Sequence, residues 1–152
     1  MIPAGDTLFH NLLLAYDGSQ HCRDVLHKAA TLASQCGARV HLLSVAPYPG
    51  PMAIGEGFET GLLLEADKER YQQILDQGIA EMKTFGLEVS GHLEIGDAAE
   101  RIATIAAEVD ADLVIVGHHP RHGLERWLRA SVGSALLDRL DCNLLIFQES
   151  TD

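Results

Sequence analysis

The feature that most constrains this chain is a strand that runs into a loop which then opens a helix, between Leu113 and Ser134. The segment reads LVIVGHHPRHGLERWLRASVGS, in which an apolar run is followed by an irregular stretch and then by a helical repeat. Phosphate-binding loops are built in this way, because a helix N-terminus offers unpaired backbone N–H groups and a positive dipole end to an anion. The segment therefore predicts an anion site at the carboxyl end of a strand.

Apolar, β-rich runs alternate with helical patterns along the chain. The predicted strands are Asn11–Tyr16, Arg39–Val45, Leu87–Glu94, Asp112–Val116 and Asn143–Phe147. Such alternation is typical of parallel strands joined by right-handed crossovers. We therefore expect an open, doubly wound, five-stranded parallel α/β sheet of the Rossmann-like kind, with helices on both faces, in a single domain over residues 1–152.

The helical patterns have recognisable ends. Apolar residues recur at helical spacing from Cys22 to Cys36, from Tyr71 to Phe85 and from Ala98 to Val109, and the first two patterns stop at a glycine. A fourth pattern begins after Ser131 as a cap and carries Leu136, Leu137 and Leu140 on its apolar face. The stretch 46–60 is rich in proline and glycine and is predicted to be a loop.

The composition of the chain limits the cellular location and the kinds of binding partner that we expect for this protein. No apolar run approaches the ~20 residues that a membrane span needs, the first residues lack the pattern of a signal peptide, and the odd number of cysteines favours free thiols. We expect a cytoplasmic protein. A formal net charge of −11 argues against general affinity for nucleic acid or anionic membrane.

The loop nevertheless has a basic character of its own. It contains Arg121, Arg126 and Arg129 against the single acid Glu125. Arginines gathered on an otherwise acidic protein favour a local anion site. A solvated loop whose arginines pair with nearby carboxylates explains the same pattern equally well.

Other residues of this edge carry weaker signals. Asp17, in Asp-Gly-Ser after the first predicted strand, is suited to accept a hydrogen bond from an adenine amino group or to hold a hydrated metal ion. The same tripeptide also makes a good turn and helix cap with no further role. His118, His119 and His122 lack a further ligand at zinc spacing and are better interpreted as donors that line a pocket. No nucleophile elbow, Cys/His pair or paired carboxylate motif is found.

Taken along its length, the chain resembles the universal stress protein family, whose ATP-binding members carry G-x2-G-x9-G-[S/T] between the fourth strand and the last helix. The short motif that leads into the third helix, Gly96 to Ile102, also looks like that of the family. The resemblance implies an adenine-nucleotide-hydrolase-like fold and a site for ATP or AMP, with Mg²⁺ accompanying ATP. The nucleotide-binding residues it implies are Ala15, Asp17, Val45, Val116, Gly117, His118, His119, Arg121, Gly123, Ala130, Ser131 and Val132.

The phosphate motif departs from the family pattern at two of its three glycines, which are replaced by Pro120 and Ala130. Proline removes an N–H whose bond to phosphate is worth ~1.5–3 kcal/mol, and alanine costs ~1–2 kcal/mol if the backbone needs a positive φ. Together they weaken ATP binding by roughly two to three and a half decades. Gly117, Gly123 and Ser131 are retained, so the site is predicted to be altered and not erased.

The resemblance also leaves an alternative open. The Gly117-His-His opening looks like a branch of the family that binds no nucleotide, although that branch typically loses the Ser/Thr that Ser131 retains here. The main hypothesis is a stress-response or regulatory module that binds adenine nucleotide without catalysing a reaction, and slow ATP hydrolysis is a third, separate hypothesis for which the sequence shows no base. The alternative is a protein-interaction module with an empty crevice. In both cases the resemblance implies a homodimer through the last strand, Asn143–Phe147.

Overall fold

The computed structural model describes residues 6–48, 59–118 and 132–148, and gives the backbone alone at 59–64, 66 and 132. Its elements alternate between strand and helix, as the sequence predicts. In chain order they are β1 (Asn11–Ala15), α1 (Gln20–Cys36), β2 (Arg39–Ala46), α2 (Glu59–Lys83), β3 (Val89–Ile95), α3 (Ala98–Glu108), β4 (Leu113–His118), α4 (Val132–Arg139) and β5 (Asn143–Gln148).

The strands form one five-stranded sheet in the order β3-β2-β1-β4-β5, and each neighbouring pair is parallel. The predicted open, doubly wound parallel α/β fold is therefore confirmed. The chain moves outwards from β1 to one edge, returns to β4 and finishes at the other edge with β5. The reversal of strand order lies between β1 and β4.

The central strand β1 is buried on both faces, because successive side chains of a strand point to opposite sides. Leu12 and Leu14 pack with Val25 of α1 and Leu75 of α2 on one face of the sheet. Leu13 belongs to a second cluster on the other face. That cluster includes Ile102 of α3 and Leu136 of α4. The sheet thus carries α1 and α2 on one side and α3 and α4 on the other.

Local signals fix the ends of the helices. Ser19 caps α1 by accepting a hydrogen bond from the backbone N–H of Cys22 at 3.2 Å, and Asp97 caps α3 by accepting from that of Glu100 at 3.0 Å. Gly37 ends α1 in the left-handed region with φ of 63°, where a side chain would be strained. None of the described helices is long and apolar enough to cross a membrane.

Some predicted details were wrong. Helix α2 begins at Glu59, well before the Tyr71 that starts its apolar repeat and inside the stretch predicted to be a loop. Leu137 and Phe85, both predicted on apolar helix faces, are 69% and 41% exposed. Strands β3 and β4 start one or two residues later than predicted and extend further, to Ile95 and His118.

Candidate functional site

A crevice is expected at the carboxyl edge of the sheet between β1 and β4, because the connections leaving these neighbouring strands pass to opposite faces. The chain leaves β1 towards α1 on one face, and α4, the next described helix after β4, packs on the other face. Loops diverge at such a point and leave the strand ends accessible. Every predicted site residue that the structure describes lies at this edge.

Asp17 lies directly beyond β1 in a tight turn. Its Oδ1 accepts a hydrogen bond from the backbone N–H of Ser19 at 2.9 Å, while Gly18 between them takes φ of 79°. The turn is the one expected of Asp-Gly-Ser. One carboxylate oxygen thus shapes the turn, and the exposed side chain stands at the edge where a ligand would bind.

The carboxylate of Asp17 also acts on the thiol of Cys22 in the first turn of α1. Burial raises the pKa of Cys22 to about 12, and the negative charge of Asp17 adds to that effect. A thiol with this pKa stays protonated and unreactive at physiological pH. Cys22 is therefore a structural neighbour of the site and not a nucleophile in it.

Val45 and Ala15 occupy the ends of β2 and β1. Val45 is half-buried and is paired with Glu94 of β3, one position before the end of β2. Just past β1, the buried hydroxyl of Ser44 donates to the backbone carbonyl of Tyr16 at 2.8 Å. The backbone N–H of Tyr16 in turn donates to the carbonyl of Leu43 at 2.8 Å. These bonds hold the two strand ends together, so Val45 and Asp17 leave the sheet side by side.

Val116, Gly117 and His118 end β4. Gly117 lies against the imidazole of His21, and a Cβ atom at position 117 would come within 3.0 Å of its Nε2. His21 is only 5% exposed, and its Nε2 lies 3.2 Å from the backbone carbonyl of Phe147 in β5. Because a carbonyl can only accept, this nitrogen carries the proton. From its place in α1, on one face of the sheet, His21 thus links the end of β4 to the end of β5.

Sequence reasoning did not identify His21. It is one position from the predicted apolar face of α1, and a single histidine near a helix start carries no spacing signal. The only hint in the sequence is its place two residues after the predicted Asp-Gly-Ser turn, at the edge where Gly117 was expected.

The remaining predicted residues fall on the loop. His119, Arg121, Gly123, Ala130 and Ser131 lie outside the described residues, as do Pro120 and the other loop arginines. Val132 is the first residue of α4, so a helix N-terminus follows the loop as predicted. The roles given to these residues stay predictions.

Two other features of the described residues bear on the choice of site. Across residues 6–48, 59–118 and 132–148 no three His, Cys, Asp or Glu side chains group as metal ligands. An open groove of about 620 Å³ lies at the opposite, amino edge, where its lining includes His10, Arg39, Phe85 and Glu88. Its Arg39–Glu88 ion pair is well exposed, and ligands of such sheets bind at the other edge.

The fold defines a parallel α/β protein with a topological switch point between β1 and β4, and the described candidate residues lie at its carboxyl edge. Residues 8–148 match the model of the universal stress protein family. The chain belongs to the universal stress protein family. It is 26% identical over 152 residues to universal stress protein MJ0531 of Methanocaldococcus jannaschii, covering 98% of this chain and 88% of the relative.

Solved structures agree on the fold. A universal stress family protein of Burkholderia pseudomallei is 27% identical with a TM-score of 0.73, covering 91% of this chain and 96% of that one. A structure from Archaeoglobus fulgidus in complex with dAMP is 20% identical with a TM-score of 0.63, over 91% and 98% of the two chains. A family protein of Arabidopsis thaliana with AMP bound is 14% identical with a TM-score of 0.66, over 94% of each chain.

Proposed function

We propose that this protein is a stress-response or regulatory module that binds adenine nucleotide, ATP or AMP, in the crevice between β1 and β4. The observation that carries the proposal is the placement of Asp17, Val45 and Gly117 at the carboxyl edge of neighbouring strands, on both sides of the switch point. Structures with the same fold hold AMP and dAMP, which gives the chemistry of the ligand.

In this proposal the adenosine lies over the ends of β1 and β2. The carboxylate of Asp17 accepts from the adenosine as well as from the N–H of Ser19. Ala15 and Val45 supply the strand-end backbone and an apolar surface. A charged acceptor of this kind contributes ~1.5–3 kcal/mol, or about tenfold to a hundredfold in affinity.

The phosphates, in the same proposal, lie between Gly117 and the start of α4. The N-terminus of α4 at Val132 offers backbone N–H groups to an anion. Ser131, Gly123, Arg121, His119 and Ala130 are proposed to add contacts, together with Val116 and His118 at the end of β4. Mg²⁺ would bind only with the phosphates of ATP. Pro120 removes an N–H contact and Ala130 adds backbone strain, so the site is altered and holds ATP weakly.

The second candidate function is a dimeric interaction module that binds no nucleotide, and exposed apolar groups favour it. β5 is an edge strand of the sheet, and its Ile146 is 38% exposed. A Cβ at Gly133 of α4 would lie 3.2 Å from Cδ1 of Ile146. Leu137, 69% exposed, lies one helical turn beyond Gly133 on the same side of α4. An unpaired strand edge with apolar neighbours suits a second copy of the chain.

Two further elements complete the proposal. A cytoplasmic location is supported by the three cysteines, which are free and half-buried. The thiol of Cys22 beside the carboxylate of Asp17 stays protonated, and we propose a binding role without a catalysed reaction.

Thermal unfolding tests the nucleotide site. A ligand that binds only the folded state adds about 2.7 kcal/mol of stability at a hundredfold excess over its dissociation constant. Millimolar ATP should raise the midpoint, and GTP at matched ionic strength should not. Asp17→Asn is the matched variant, because an asparagine still accepts from Ser19 N–H but loses the charge, and it should reduce the shift by ATP. Equal shifts with ATP and GTP, or an unchanged ATP shift in Asp17→Asn, would contradict the proposal.

A further inference from the structure

A second group of polar side chains lies away from the crevice, across the amino half of the sheet. His41 of β2 and His92 of β3 place Nδ1 and Nε2 only 3.0 Å apart, and Nε2 of His41 lies 3.1 Å from Oδ1 of Asn11. All three side chains are half-buried. They lie on the face that carries α3 and α4, because His41 is paired with Leu13 and His92 with Leu43.

The backbone decides which nitrogen of His41 carries a proton. The amide of Asn11 donates through Nδ2 to the carbonyls of Val109 and of Asp110, so its Oδ1 is turned towards His41 as an acceptor. An acceptor there requires a proton on Nε2 of His41. In a neutral His41, Nδ1 then carries a lone pair, and this lone pair faces His92.

The two rings are accessible from solvent. β3 is an edge strand of the sheet, and its exposed Ser90 is paired with His41 on the same face. Solvent and small ions therefore reach the two rings without any opening of the core.

We propose that His41 and His92 form an open, two-nitrogen site for a borderline transition-metal ion such as Zn²⁺. Imidazole nitrogens bind Zn²⁺ at 2.0–2.1 Å, which separates two such ligands by about 2.9 Å at a right angle and about 3.3 Å at the tetrahedral angle. The 3.0 Å between Nδ1 and Nε2 lies inside this interval. A metal ion replaces the shared proton once each ring turns by a few tens of degrees, because the ring centroids are 5.2 Å apart, which puts the two nitrogens close to the line between the rings, and an ion bound by both nitrogens lies off that line.

Asn11 acts on this site as a positioning residue. A metal-binding histidine commonly donates its other N–H to an oxygen that fixes its tautomer and orientation, and loss of that partner weakens metal binding by about tenfold to a hundredfold. Asn11 is such a partner for His41. Water fills the remaining coordination positions, which makes the site dependent on both histidines.

Zinc titration of the full chain tests the proposal. The loop histidines are removed from the competition by the background His118→Gln, His119→Gln and His122→Gln, and zinc affinity is measured against a chromogenic chelator. One Zn²⁺ should bind per chain. His41→Gln and His92→Gln should each weaken binding at least tenfold, and Asn11→Ser by a similar factor. His10→Gln, which changes an exposed histidine next to Asn11, is the matched control and should leave the affinity unchanged.

A second measurement on the unaltered chain keeps the test decisive if a variant fails to fold. Long-range ¹H–¹⁵N spectra report each imidazole ring. Nδ1 of His41 and Nε2 of His92 should both shift as one equivalent of Zn²⁺ is added. Zinc affinity that survives both histidine substitutions, or signals of these two nitrogens that do not move while zinc binds, would overturn the proposal.

Discussion

Gly117 at the end of β4 rests against the buried imidazole of His21, so that a Cβ atom at this position would make a tight contact. Such an atom would lie 3.0 Å from Nε2 of His21 and 3.1 Å from Cγ2 of Val25. Packing thus favours a glycine at the first position of the predicted phosphate motif, independently of any ligand. Packing against His21 and binding of a phosphate are therefore two separate reasons for a glycine at position 117.

Gly117→Ala should therefore destabilise the protein without any nucleotide present. Overpacking of a close contact typically costs ~1–3 kcal/mol in the free energy of unfolding, which urea denaturation measures directly. Gly133→Ala is the matched control, because its Cβ would meet only the flexible end of Ile146 at 3.2 Å and a helix gains from alanine. If Gly117→Ala were as stable as the wild type, His21 would move away from the added Cβ atom at no cost in stability, and the prediction would be wrong.

Cys22 should be the slowest of the three thiols to be alkylated. Burial and Asp17 raise the pKa of Cys22 to about 12. At pH 8 the deprotonated fraction of Cys22 is then roughly one part in ten thousand, whereas it is about a quarter for an ordinary thiol. Iodoacetamide labelling followed by peptide mass mapping measures each cysteine separately, and Asp17→Asn should accelerate Cys22 because it removes a neighbouring charge. Labelling of native Cys22 as fast as in urea would contradict this.

Restoring the glycines of the loop should strengthen the phosphate contacts selectively. Pro120→Gly with Ala130→Gly is expected to tighten ATP binding by at least tenfold and AMP binding by much less, since the missing N–H and the strained backbone concern the phosphates. Calorimetric titration of both nucleotides measures the ratio. Equal gains for ATP and AMP, or no gain, would show that these two positions do not limit binding.

A charge in the last strand should disrupt the proposed dimer. Leu145 is half-buried in β5, and Leu145→Lys places an ammonium group in the strand that would pair with a second copy. Sedimentation velocity at tens of micromolar should show a wild-type dimer and a monomeric or insoluble variant. Leu8→Lys is the control, since Leu8 is 66% exposed elsewhere. A monomeric wild type, or a variant dimer of unchanged stability, would contradict the proposal.

The sheet could be predicted from the sequence because its central strands have strong local signals. Apolar runs such as the one from Leu113 to Val116 are buried on both faces of the sheet, and the glycine that ends α1 marks a helix end in the sequence itself. The edge position of Asp17 followed from the same pattern. Each of these signals comes from residues that are close together in the sequence.

Other features depend on tertiary contacts and left little trace in the sequence. The first part of α2 has no amphipathic repeat before Tyr71, so its helix could not be separated from the preceding proline-rich stretch. Leu137 follows the helical period but lies on a side of α4 that the described residues leave exposed. His41 and His92 meet only because β2 and β3 pair in one register, although they are far apart in sequence.

Direct titration of the full chain with ATP in a calorimeter tests the central claim. The proposal predicts one ATP per chain with a dissociation constant in the submillimolar to millimolar range, no heat with GTP, and at least tenfold weaker binding in Asp17→Asn, consistent with loss of a charged acceptor. No binding of ATP or AMP at ten millimolar, or GTP binding of equal strength, would contradict an adenine site in this crevice and favour the interaction module.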